Sequence, residues 1–212
     1  MALLTQTTYK AKEFALSNLI GISDKTLELH FALYAGYVKN TNLLNEQLDE
    51  MRHGGNASGA NPVYAELSRR VGFECNGMVL HELYFDNMMS EADGGANNIA
   101  ATSDLGQRLG EQWGDIETWR KDFGAIGAMR GVGWAVAYLD PATQRLSNHW
   151  ITSHEDGNVA GFVPVCVMDV WEHAWLLDYK PADRPKYIES FMANVDVAKL
   201  EARLMGAQRP VG

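Results

Sequence analysis

Residues 162–175 read Phe-Val-Pro-Val-Cys-Val-Met-Asp-Val-Trp-Glu-His-Ala-Trp, and the pattern changes in the middle of them. Phe162–Met168 is apolar on both faces, as a strand covered on two sides must be. The spacing predicts a strand over Val159–Met168 and a helix opening at Asp169. Asp169 and His173 are four apart, which on a helix sets a carboxylate and an imidazole on one face, one turn apart. That pair can grip Fe, Mn or Zn, and it can equally be an ordinary helical ion pair. A carboxylate emerging from an apolar strand needs a strong compensating charge, which a metal ion supplies. His30 and His81 each fall on the apolar side of a long helical pattern and are candidates to complete a three-His, one-Asp set.

Working outward, Gly133–Leu139 and Arg145–Thr152 read as two further strands, joined by the turn Asp140–Gln144. Upstream, a helical start is expected over 10–22. Long amphipathic helices are expected over about 24–51, capped by Ser23 or Asp24, and over 62–91, opened by Pro62 and broken near Gly72 or Gly77. Short helices are expected over 102–113 and 116–130, the second capped by Asp115, and a last helix runs from Pro185 to about Leu204. The Gly- and Asn-rich stretch 92–98 marks a boundary between a helical hairpin, 1–95, and a second domain, 96–212. The fold class is α+β, a helical hairpin followed by a three-stranded antiparallel sheet surrounded by helices.

Composition narrows the partners. Of 212 residues, 46% are hydrophobic and 21% charged, as in an ordinary globular chain, and the net charge of −9 argues against a nucleic-acid partner. No apolar run approaches the roughly 20 residues that span a membrane. The first residues lack a secretory pattern, and Cys75 and Cys166 lie far apart among apolar neighbours, so a cytoplasmic protein with free thiols is expected.

Asp169–Tyr179, Asp-Val-Trp-Glu-His-Ala-Trp-Leu-Leu-Asp-Tyr, resembles the signature of the iron/manganese superoxide dismutases. Supporting blocks are Gly21–His30, Tyr37–Asn42, His81–Asn87, Gly131–Trp134 and Tyr179–Tyr187, so that the resemblance covers roughly 15–200. It implies a superoxide dismutase that uses one Fe ion per subunit, or Mn, or either. His30, His81, Asp169 and His173 would be the metal ligands and superoxide the substrate. It also implies Tyr37 at the substrate funnel, Trp134 and Trp171 as aromatic walls, and a homodimer or tetramer in which Glu172 reaches the partner's ligand histidine. A positive funnel must override the acidic bulk charge, with Arg184 the leading candidate and Lys180 and Lys39 weaker ones.

The chain departs from the family pattern in ways that bear on the site. His30 and Tyr37 are one residue closer than usual, which removes a bulge from the first helix. Tyr34 stands where a histidine is usual and Leu176 where a tyrosine is, so a contact across the dimer is replaced. Phe85 and Val136 replace tryptophans. The glutamine that hydrogen-bonds the metal-bound solvent is absent: one of its two usual positions is Gly77, and the other is His154, which is expected to take its role. These losses leave open an alternative, a metal-binding protein of this fold with weak or no dismutase activity.

Overall fold

The computed structural model describes residues 8–90 and 98–207. An antiparallel α-hairpin is followed by a three-stranded antiparallel sheet flanked by helices, the α+β arrangement expected. In the hairpin, α1 (Asp24–His53) starts at Ser23, whose hydroxyl accepts the Thr26 N–H, with Asp24 in its first turn and Arg52 and His53 in its last, as the helix dipole favours. Leu27, His30, Tyr34 and Val38 form its buried stripe. The helix is continuous α from end to end, without the bulge the family pattern carries. Seven residues are close to two turns, so Tyr37 lies on the same side as His30.

The partner helix α2 (Pro62–Asp86) opens with Pro62 behind an Asn61 cap and passes unbroken through Gly72 and Gly77. Two helical glycines cost about 1 kcal/mol each, and hairpin packing outweighs this. The helix stops at Asp86, short of the expected Glu91, because Asn87 leaves it for other partners. Its side-chain amide donates to Val167 O and its carbonyl accepts the Asp196 N–H at 2.6 Å.

Residues 8–18 are not helical, contrary to expectation. Side chains of α1 take three of their backbone N–H groups instead: Tyr9 donates to Asn42 Oδ1, Lys12 to Tyr34 Oη and Asn18 to Asp24 Oδ1. Asn18 and Gly21 have φ of 54° and 69°, which ends any helix there.

The second unit begins with α3 (Asp104–Trp113) and α4 (Ile116–Gly127), capped by Ser103 and Asp115. The sheet has the order β2-β1-β3, with β1 (Gly133–Leu139) central and wholly buried between β2 (Leu146–Thr152) and β3 (Val163–Asp169). Strand β3 starts later than expected, since Val159–Phe162 is a turn closed by Phe162 N–H on Val159 O. The expected last helix is two, α5 (Arg184–Ala193) and α6 (Val197–Ala207), parted where Asn194 spends its amide on Ile20 O and Ser190 O. Arg203 of α6 ties the units together, donating to Leu83 O, Asp86 and Asn87 at the end of α2 and to Val165 O in β3. The expected boundary at 92–98 lies, Asn98 apart, outside the described residues. Among the described residues no helix is long and apolar enough to cross a membrane.

Candidate metal centre

His30 comes from α1, His81 from α2, and Asp169 is the last residue of β3, in register with Trp134 of β1. His173 lies in a 3₁₀ turn, Glu172–Ala174, not on the α-helix expected to open at Asp169. The sheet holds Asp169 extended, and its Oδ1 accepts the Trp171 N–H at 2.8 Å, which turns the chain without an α-helical start. The four-residue spacing still brings the pair together. Asp169 Oδ2 is 3.1 Å from His173 Nε2, 3.2 Å from His30 Nε2 and 3.7 Å from His81 Nε2. All four ligand atoms lie within 4.8 Å of one another. His30, His81 and Asp169 are buried, and the His173 side chain keeps 26% of its exposure.

The donor chemistry fits a cation. The His81 Nδ1–H donates to Gly77 O at 2.6 Å, since a carbonyl can only accept, and this leaves the Nε2 lone pair facing the centre. Burial first, then the neighbouring His30, hold the His81 pKa well below its ordinary value, so the ring is neutral. Its Nε2 has no hydrogen-bond partner and faces the Asp169 carboxylate. Burial would raise the Asp169 pKa, but His173 and His30 override it and hold the group far below the carboxylate range. A bare imidazole lone pair opposed to an anionic oxygen in the protein interior is repulsive, and a shared metal ion makes both ligands.

Beside this cluster His154 is fully buried although it sits in the turn after β2. Trp134 Nε1–H donates to its Nδ1 at 3.0 Å, and Tyr37 Oη lies 2.8 Å from its Nε2. Burial lowers its pKa to about 4, so near neutral pH the ring is uncharged and Nε2 carries the hydrogen that Tyr37 accepts. The Tyr37 phenol is pushed up to about 12, by burial and then by Asp169 and Glu74. Its ring stands 5.0 Å from His81, and Trp134 and Trp171 pack against His81 and His173 at 4.9 and 5.9 Å.

A cavity of about 310 Å³ opens over Tyr37, lined also by Leu33, Asn40, Arg70, Phe73, Glu74 and Trp171. Arg184, Lys180 and Lys39 are not among its lining residues. Arg184 donates to Gly131 O at 2.9 Å and lies 5.8 Å from the Trp150 ring centre. Arg70 and Glu74 escaped the sequence reading, although their four-residue spacing on α2 was a visible signal. Tyr34 is buried and its phenol accepts the Lys12 N–H and donates to Glu82, so its bonds stay within the chain. Phe85 packs 4.8 Å from His30, Val136 is buried in the central strand, and Glu172 and Leu176 are exposed beside His173.

Comparison with known proteins agrees with this architecture. Residues 9–89 match the family described as iron/manganese superoxide dismutases, alpha-hairpin domain, and residues 101–203 match its C-terminal domain. The chain is 36% identical to a superoxide dismutase [Fe] of Aquifex pyrophilus over 84% of its own length and 82% of the relative's. It is 33% identical to superoxide dismutase [Mn] 2 of Haloferax volcanii over 86% of each. With a superoxide dismutase [Mn/Fe] of Aeropyrum pernix it shares 31% over 86% of this chain and 83% of the other. Two family domains in order, and a buried three-His, one-Asp cluster where they meet, place the chain in the iron/manganese superoxide dismutase family.

Proposed function

We propose that His30, His81, Asp169 and His173 hold one iron ion per subunit, with manganese the competing occupant. The observation that carries this is the convergence of three Nε2 atoms on Asp169 Oδ2. Imidazole donors suit iron, and the carboxylate leaves room for manganese. The relatives, named for Fe, Mn and Mn/Fe, support a site of this class. The reaction is disproportionation of superoxide, in which two superoxide anions and two protons give dioxygen and hydrogen peroxide. The ion, when bound, supplies the one-electron exchange by cycling between two oxidation states.

The protein's share is charge, proton and access. Asp169 offsets one unit of the cation's charge and so favours its oxidised form. Trp134 fixes the tautomer of His154, and His154 Nε2–H donates to Tyr37 Oη. The Tyr37 hydrogen is thereby free to be directed away from His154. With both ring nitrogens of His154 engaged, its influence on the reacting centre passes through Tyr37. Trp134 and Trp171 exclude water from the rest of the site. Arg184 acts as a basic group near the site, its guanidinium interacting favourably with the charges of Asp169 and Glu172.

The subunits associate as a homodimer, or a tetramer built from it, through the face that carries Glu172. The exposed Leu176 and Leu177 beside it supply apolar area for that contact. The free Cys75 and Cys166 support a cytoplasmic location. The decisive experiment measures metal content of protein purified from its own source, paired with superoxide removal by separately iron- and manganese-loaded samples. Activity with either metal, lost in His81→Ala together with the metal, is expected. A His81→Ala or Asp169→Ala protein that keeps its full metal content would refute the ligand set.

A further inference from the structure

We propose that Arg70, locked in place by the buried Glu74, is the group that captures the incoming anion at the mouth of the cavity above Tyr37. The inference rests on the dismutase reading of the centre below it.

The chain carries a net charge of −9, so an anion meets repulsion from the molecule as a whole and needs a local positive field to enter. Among the described residues lining the cavity, Arg70 is the only cation. Its guanidinium holds Glu74 by two nitrogens, Nη2 at 2.6 Å and Nε at 2.8 Å from Oε1. The Arg70 side chain is 51% exposed and that of Glu74 is 3% exposed. The pair is therefore a dipole set across the wall, with its positive end in solvent and its negative end inside the protein. Asn40, across the cavity on α1, donates to the other Glu74 oxygen at 3.3 Å, which fixes the carboxylate from both sides.

Arg70 is also held from below. Its Cζ lies 4.3 Å from the centre of the Phe73 ring, and that ring meets His154 at 4.5 Å, tilted by 60°. His154 in turn stacks 5.0 Å from Trp171. A chain of ring contacts, guanidinium to phenyl to imidazole to indole, thus runs from the exposed mouth to the wall of the metal centre. A surface arginine ordinarily sweeps through many rotamers. This one is kept at one place by a cation–π contact and a fork of hydrogen bonds. An anion drawn to its outward N–H groups is delivered beside Tyr37, which also lines the cavity.

Removing Arg70 alone would strand a buried carboxylate, so the test uses the double variant Arg70→Met/Glu74→Gln. It keeps the net charge of the chain and deletes only the dipole. Metal content and melting temperature are recorded for each variant. With matched iron loading, kcat/KM for superoxide at low salt is expected to fall about threefold to tenfold, with kcat little changed, and its decline with added salt is expected to flatten. Arg70→Lys keeps the cation and should restore most of the salt dependence. Azide, a small anion that the enzyme does not consume, is titrated by the visible spectrum of the iron form, and its affinity should drop in the double variant. If the double variant keeps both the wild-type salt dependence and the wild-type azide affinity, the proposal is overturned. A wild-type protein that binds azide in an Arg70-dependent way but removes no superoxide would overturn the dismutase reading and leave the capture role standing.

Discussion

The ring of Tyr37 lies directly on the backbone of Gly77: a Cβ at position 77 would stand 2.6 Å from Tyr37 Cδ1. The position from which an α2 glutamine would reach the metal site is thus filled by the tyrosine that hydrogen-bonds His154. Absence of a side chain at 77 and presence of histidine at 154 are two halves of one arrangement. Gly77→Ala gains about 1 kcal/mol of helix propensity and loses about 1–3 kcal/mol to overpacking. Net stability should therefore change little or fall modestly, while activity drops as Tyr37 is pushed off His154. Thermal melts and assays of metal-loaded Gly77→Ala measure both.

His154 accepts from Trp134 and donates to Tyr37, a donor–acceptor pair that a glutamine amide reproduces and a leucine does not. His154→Gln should fold with near-normal stability and change the ratio of activities between iron-loaded and manganese-loaded protein. His154→Leu leaves the buried Trp134 N–H unpaired, at a cost of about 1–3 kcal/mol. Equal destabilisation by the two substitutions, seen in denaturant melts, would count against this bonding.

Cys166 gives a pH signature away from the metal. Burial pushes its thiol up to about 12 from an ordinary value of 9.0, with Arg203 and Arg120 opposing weakly. Between those limits the unfolded chain has released a proton that the folded chain still holds, so stability falls as pH rises. Below pH 9 the group contributes no slope. The wild type should lose stability faster than Cys166→Ala above pH 9, by up to about 1.4 kcal/mol per pH unit. Equilibrium unfolding at a series of pH values from 8 to about 11 reads the difference, and parallel curves would show that the thiol is not sealed from solvent.

Arg203 joins the hairpin to the sheet through Leu83 O, Asp86 Oδ2 and Val165 O at 2.9, 3.0 and 3.1 Å. Its side chain is only 13% exposed. Arg203→Met should cost about 2–5 kcal/mol, because two buried acceptors, Asn87 Oδ1 and Val165 O, lose their donor together. Protein that does fold should still bind its metal, since no ligand touches this arginine. A melting temperature unchanged from the wild type would contradict the tie.

Much of this molecule was written in its local patterns. Ser23, Pro62 and Asp115 marked helix starts because a helix opening needs only its own next few residues. The alternation of 145–152 and the apolar runs of 133–139 and 159–168 placed the sheet, although the last strand begins only at Val163. The Asp169-x-x-x-His173 spacing brought that pair together even though the turn between them is 3₁₀ and not α.

What the sequence could not carry was settled by contacts between distant segments. Residues 8–18 have helix formers, but the N–H groups of Tyr9, Lys12 and Asn18 go to side chains of α1, and the last helix is broken by an asparagine bonded to Ile20. Arg70 and Glu74 went unread in the sequence, because the four-residue spacing alone does not show that Asn40 of α1 and the turn at 154 pack beside them. The sequence by itself determined which side chains could bind a metal, since ligand type, spacing and capping are local properties. Only the tertiary structure decided that these side chains converge to within 4.8 Å, that His154 is buried between Trp134 and Tyr37 and that Arg70 lines the cavity, because burial and long-range hydrogen bonds exist only once the chain has packed.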